Sequence, residues 1–158
     1  MPKITSVKAR LIYNSRGNKT IEVDVISDDR FLGRVCAPSG ASVGKHEAIS
    51  FPDGSPEKSL RILTDNSKKF LDHDASNLKS IHDVIRTLDQ SPDYSKIGGA
   101  VAFAVTIASL ESAAKALNKP LFQLISKEKE YRFPFPLGNI LGGGAHAGPG
   151  TPDIQEIL

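Results

Sequence analysis

An α+β fold is what this sequence predicts, and three observations carry the prediction. Up to residue 38 apolar residues alternate with polar ones, as Ile21, Val23 and Val25 do with Glu22 and Asp24. From Ser55 the apolar spacing lengthens, and between Gly98 and Leu117 lies a run of small and apolar residues. A period of two marks a strand with one face on a core, whereas the longer period marks an amphipathic helix. Strands first and helices after them make a sheet packed on helices.

The strands come in order. Ile4 to Tyr13 is rich in β-branched and apolar residues, and Asn14-Ser15-Arg16-Gly17-Asn18 is a turn, because Asn and Gly tolerate positive φ. The alternating segment around Ile21–Val25 follows, with one wet face. Asp28-Asp29-Arg30 makes a second turn, and Phe31 to Ala37 a third strand that Pro38 ends. The result is a three-stranded antiparallel meander.

The helices start at Ser55-Pro56, a cap followed by proline at the first helical position. Leu60, Leu63, Phe70 and Leu71 then fall near one helix face, and Ile81, Val84, Ile85 and Leu88 form a second stripe. Gly98 to Leu117 carries no charge before Glu111, so this helix is expected to be buried on all sides. Asn118 and Pro120 stop it. From Phe133 the character changes. Phe133-Pro134-Phe135-Pro136-Leu137 is extended by its prolines, and Gly142 to Gly150 is too glycine-rich for regular structure. Asp153 to Leu158 could form one more strand.

Composition narrows the function. Lys and Arg number 20 against 18 Asp and Glu, and a net charge of +2 gives no field for nucleic acid or anionic lipid. Hydrophobic residues at 39% are enough for a folded core. The single cysteine, Cys36, excludes an internal disulfide and a Cys-based zinc cluster. No signal-like apolar core opens the chain and no run of about 18 apolar residues occurs, so an intracellular, soluble protein is expected, with no membrane partner.

Two loops carry candidate chemistry. Gly40-Ala41-Ser42-Val43-Gly44-Lys45-His46 suggests a phosphate-binding loop, but its glycines are one residue too close and His46 replaces the required Ser or Thr. That reading fails, and a connection between sheet and helices is the plain alternative. The second loop, Gly142-Gly143-Gly144-Ala145-His146, leaves backbone N–H groups open to an anion, with a histidine able to exchange a proton. Glu156, on the expected final strand, shares a face with Ile154. Either it is a functional inward carboxylate or it is an edge charge on the surface. His73 and His82 are expected to be solvated, and Cys36 to pack within its strand.

Taken in order, Ser15-Arg16-Gly17-Asn18, Pro38-Ser39-Gly40-Ala41-Ser42, the Gly98–Leu117 helix, Gly142-Gly143-Gly144-Ala145-His146-Ala147-Gly148 and Gln155-Glu156 resemble the enolase family, phosphopyruvate hydratase. Each motif is weak alone; five in one order across nearly the whole chain are specific. Asn14, Lys19, Ile49 to Pro52, Pro149 to Pro152 and Ile157 depart from the usual family residues, flanking the motifs without removing their functional groups.

The resemblance implies an N-terminal capping domain over residues 1–130, with the beginning of a truncated β/α barrel over 131–158. It implies dehydration of 2-phosphoglycerate to phosphoenolpyruvate in glycolysis and gluconeogenesis, with Mg²⁺ stabilising the enediolate. On it, Ser39 belongs to a lid loop and helps bind a second Mg²⁺. His146, Gln155 and Glu156 bind substrate, and Glu156 is catalytic, near the departing hydroxyl. Arg16 and Glu22 make charged contacts across a homo-oligomer interface. A full barrel takes roughly 250 residues, so the metal carboxylates and the lysine base are expected outside this chain, and the chain alone is expected to be inactive. The rival is a non-catalytic capping domain that serves as an interaction module, although such a module has no need of Ser39, His146 and Glu156.

Overall fold

The computed structural model describes residues 1–40, 43–126, 128, 130–144 and 147–158. Three antiparallel strands come first: β1 (Ile4–Tyr13), β2 (Lys19–Ser27) and β3 (Phe31–Cys36), ordered β1-β2-β3. The expected meander is what forms. Its first turn is tied by Asn14, whose Oδ1 accepts from the amides of Arg16 (2.9 Å) and Asn18 (3.0 Å). The second is the three-residue loop Asp28-Asp29-Arg30, with Asp28 and Asp29 at φ of 49° and 55° and the Arg30 amide donating to the Ser27 carbonyl at 3.1 Å.

Four α-helices follow among the described residues: α1 (Pro56–Asn66), α2 (Leu78–Leu88), α3 (Gly99–Ala116) and the short α4 (Leu121–Ile125), the last unexpected from the sequence. Ser55 and Asn77 cap α1 and α2, accepting from the amides of Lys58 and Ser80. Helix α1 ends sooner than the apolar spacing suggested. Asn66 and Ser67 turn their side chains back onto the carbonyls of Ile62 (2.9 Å) and Thr64 (3.0 Å), and a 3₁₀ turn over Ser67–Phe70 follows. Phe70 reaches the core from that turn rather than from the helix, and is completely buried.

Helix α3 lies across the inner face of the sheet. The approach is close enough that a Cβ on Gly33 of β3 would stand 1.9 Å from the carbonyl oxygen of Ala108. Ala104, Ala108 and Ser112 are buried along the helix. A 2.6 Å hydrogen bond joins the hydroxyls of Ser27 and Ser112, and Ser112 also donates to the carbonyl of Phe31 at 2.7 Å. Polar groups buried this way stabilise only because each finds a partner. Ile4, Ile21, Val23, Val25, Leu63, Ile81, Ile97, Val101 and Val105 complete the core. Among the described residues only α3 is long and apolar enough to cross a membrane, and 56% of it is buried inside the fold, as in a core helix. It is not covered all round, because Phe103 is 44% exposed.

The chain divides into two compact units, Met1–Ser39 with Val43–Lys127, and Gly40–Ser42 with Glu128–Leu158. In the second, β4 (Leu141–Gly142) pairs antiparallel with β5 (Glu156–Ile157). The expected final strand is thus only two residues long, and Gly142, expected in irregular backbone, is a strand residue. Cys36 also departs from expectation. It ends the edge strand β3 and is exposed rather than packed. Of the histidines, His82 is exposed as expected, whereas His73 is half-buried with Nδ1 2.5 Å from the Ser80 hydroxyl.

Candidate functional site

Two of the sequence motifs meet in the larger unit. The β1–β2 turn projects Arg16, and its shape comes from Asn14 and from Gly17 at φ 74°. Beside it the chain leaves β3 through Ala37 and Pro38 to reach Ser39. A cleft of ≈ 290 Å³ lies between them, lined by Tyr13, Arg16, Thr20, Cys36 and Ser39 among others. Arg16 and Ser39 are both exposed, whereas the Thr20 hydroxyl at the cleft's base is buried with no hydrogen-bond partner. The sheet therefore brings a cation and a hydroxyl, 23 positions apart in sequence, to one opening.

Glu22 lies on the opposite face of the sheet from the core. It is part of a charged cluster that sequence reading missed. The register sets Arg10 opposite Glu22 and Asp24 opposite Arg34. Arg10 bonds Glu22 and also reaches Asp24 at 2.9 Å. Arg34 grips Asp24 with two nitrogens, Nε at 2.7 Å and Nη2 at 2.9 Å, and its Nε lies 3.8 Å from Glu22. Asp24 is 9% exposed, so this face is less wet than the alternation implied. The Arg34 hydrogen bonds outweigh the cost of burial and, with Arg10, hold the Asp24 carboxyl down at about 2. Lone charges on a strand show nothing of this pairing; only the register does.

Gln155 and Glu156 belong to the smaller unit. Glu156 pairs with Gly142, the amide of Gly143 donates to the Gln155 carbonyl at 2.9 Å, and that of Gly144 to Pro152 at 2.8 Å. Glycine is required at 143: a Cβ there would lie 2.4 Å from the carbonyl oxygens of both Ile154 and Pro152. The Glu156 side chain is exposed, and Gln155 with it. His146 lies outside the described residues. Among the described residues no three His, Cys, Asp or Glu converge on a point that could hold a metal ion. Ser39 offers a hydroxyl and a backbone carbonyl, fewer oxygens than the six that Mg²⁺ takes in octahedral array.

Comparison with known proteins gives these positions a context. The family described as enolase, N-terminal domain, matches residues 4–125. The enolase of Methanosphaera stadtmanae is 42% identical over 156 residues, covering 98% of this chain and 37% of that protein. That of Methanothermobacter thermautotrophicus is 41% identical over the same shares. Enolase 2 of Pseudomonas syringae pv. syringae is 37% identical, across 99% of the chain and 39% of its own length. The chain thus spans about two fifths of the length of the curated relatives it matches.

Proposed function

The chain belongs to the enolase family through its N-terminal domain, and from that premise we propose that it is the N-terminal part of a Mg²⁺-dependent hydro-lyase. The reaction is loss of water from 2-phosphoglycerate to give phosphoenolpyruvate, in the cytoplasm. The observation that carries this reading is similarity to enolases along 98% of the chain, beyond the residues 4–125 that match the N-terminal domain. When bound, Mg²⁺ supplies the positive charge that makes the proton next to a carboxylate removable.

The residues of this chain have narrower parts in the proposal. Residues 1–130 act as the capping domain and residues 131–158 begin the barrel domain. Ser39, exposed on the segment leaving β3, closes over the substrate and helps bind the second metal. Gln155, Glu156 and His146 meet the substrate, and Glu156 faces the hydroxyl that departs with a proton as water. Arg16 carries charge toward a second subunit of a homo-oligomer. Glu22 does so as part of its cluster with Arg10, Asp24 and Arg34, so the partner meets a pre-formed charge array rather than a lone carboxylate.

The 158-residue polypeptide alone is expected not to form phosphoenolpyruvate, because one hydroxyl and one carboxylate replace neither a lysine base nor a metal carboxylate set. Grafting it in place of the matching 37% of the M. stadtmanae enolase is the decisive experiment. The hybrid should be active. Within it, Ser39→Ala should weaken the response to Mg²⁺ with partial recovery at saturation. Glu156→Gln should lower kcat roughly 10²–10⁴-fold without metal rescue. A folded but inactive hybrid, or near-normal kcat for Glu156→Gln, would overturn the reading.

A further inference from the structure

Asp89 is a completely buried carboxylate that the proposed reaction does not use. It follows α2 directly, its amide donating to the Ile85 carbonyl at 3.0 Å. Oδ1 accepts from the amide of Ser91 at 2.8 Å and from the Ser91 hydroxyl. Oδ2 accepts from the amides of Lys96 (2.8 Å) and Ile97 (2.9 Å). Burial works against the charge, yet the Ser91 hydroxyl and the three amides outweigh it and hold the carboxyl below its ordinary range. These four donors draw both ends of the 89–98 loop onto one side chain.

That loop seats residues 48–50, which lie downstream of Ser39. The amide of Ile49 donates to the Asp93 carbonyl at 2.8 Å. In return the Ile49 and Ser50 carbonyls accept from Gly99 (2.7 Å) and Ala100 (3.2 Å), the first amides of α3. Helix α3 has no side-chain cap, so these carbonyls do that work. The fit admits nothing larger. A Cβ on Gly98, whose φ is 94°, would meet the Ser50 oxygen at 2.6 Å, and one on Gly99 would meet the Ala48 Cβ at 2.9 Å. Both stems of the Ser39 segment, Ala37-Pro38 and Glu47-Ala48, border one depression of ≈ 220 Å³ beside Gly99 and Phe103.

We propose that Asp89 is the positioning residue for the Ser39 segment, fixing the 89–98 loop on which residues 48–50 are seated. What Ser39 does with that position rests on the enolase reading; the seating itself does not.

Amide hydrogen exchange on the 158-residue chain tests the seating. Asp89→Asn keeps the shape but turns one acceptor oxygen into a donor, leaving two of the four amide and hydroxyl donors unmatched. Exchange at Ile49 and Gly99 should then rise at least about tenfold, while Val23 and Val25 in β2 change much less. If Asp89→Asn does not fold, Ser91→Ala, which removes one of the four donors to Asp89 together with the hydroxyl that accepts from the Ser95 amide at 3.0 Å, should show the same pattern at smaller amplitude and decides the question instead. Unchanged Ile49 and Gly99, or a rise shared equally by Val23 and Val25, would overturn the proposal. In the hybrid enzyme Asp89→Asn should raise the half-saturating Mg²⁺ several-fold with kcat at saturation largely kept. Loosened Ile49 with no change in that response would overturn the link to Ser39. Should Ser39→Ala itself prove silent there, the enzymatic reading fails while the exchange result still stands.

Discussion

The two units of this chain dispose of their apolar residues in opposite ways. In the larger, Phe70, Ile21, Val23, Ile81 and Val105 are buried to about the last square ångström. In the smaller, Phe133, Phe135, Leu137 and Ile140 stand 81% or more exposed. Both stretches are apolar, so apolar content is not what makes a core. The larger unit repeats its apolar residues every two positions or at helical spacing, which gathers them on one face. The smaller one interleaves them with Pro134 and Pro136, which lack the N–H that a ladder needs, and among its described residues the only strands are two residues each. Periodicity supplies a surface for burial, and a surface is what the core is built from.

The largest expected consequence is kinetic. Amides within Val101–Leu110 should exchange only through global opening, at least about a thousandfold more slowly than those of Ile140 and Ile157. Those two sit at the β4–β5 pairing, where the Ile140 amide bonds the Ile157 carbonyl at 2.8 Å but both side chains are exposed. Exchange measured by mass spectrometry on the isolated chain checks this. Equal protection in the two places would break the comparison, unless it depends on concentration, which would point to pairing of exposed edges between chains.

A pair of glycines sharpens the same contrast. Gly33→Ala forces a Cβ into the Ala108 carbonyl, and neither backbone can yield without parting β3 from α3, so a loss of about 3 kcal/mol or more is expected. Gly138→Ala meets nothing within 4 Å and should shift stability by less than about 0.5 kcal/mol. Denaturant melts of both variants decide it. A tolerated Gly33→Ala would mean that the sheet and α3 pack less tightly than their geometry says.

What was legible beforehand was what short sequence windows encode. The alternation around Val23, the Asn14–Gly17 turn and the Ser55-Pro56 cap each state their structure within a few residues, and all formed as expected. The end of α1 was not legible, because Phe70 keeps helical spacing with Leu63 although Asn66 and Ser67 have already taken the helix carbonyls. Nor was the exposure of Cys36, which depends on its lying at the free end of an edge strand. In the candidate site, motif order pointed to Arg16 and Ser39, but their shared cleft exists only because β3 returns alongside the β1–β2 turn. The charge cluster needed the register, and Asp89 needed the fold. A faint signal for Asp89 was present: Asp followed two positions on by Ser marks an Asx turn. The same spacing recurs at Asp74-Ser76 and Asp93-Ser95.

The smallest effect expected is electrostatic, and its dependence on pH is what identifies it. Asp24 is held by Arg34 and Arg10 so that its carboxyl lies at about 2, against 3.8 without them. The unfolded chain therefore binds this proton more readily than the folded one. Stability from the pairing is complete above about pH 4 and drains away as pH falls toward 2. Asp24→Asn removes the charge yet keeps the outline, and Arg10 retains Glu22 as a partner. The variant should be less stable by roughly 1–2 kcal/mol at pH 7, an amount tempered by the half-exposed guanidinium groups. The deficit should persist at pH 5, shrink by pH 3 and close near pH 2. Asp153→Asn, at an exposed position of the smaller unit, should leave the melts unchanged throughout. A deficit for Asp24→Asn that stayed constant from pH 7 to pH 2 would assign the effect to hydrogen-bond geometry instead of charge. The cluster would then hold the sheet's outer face by shape alone.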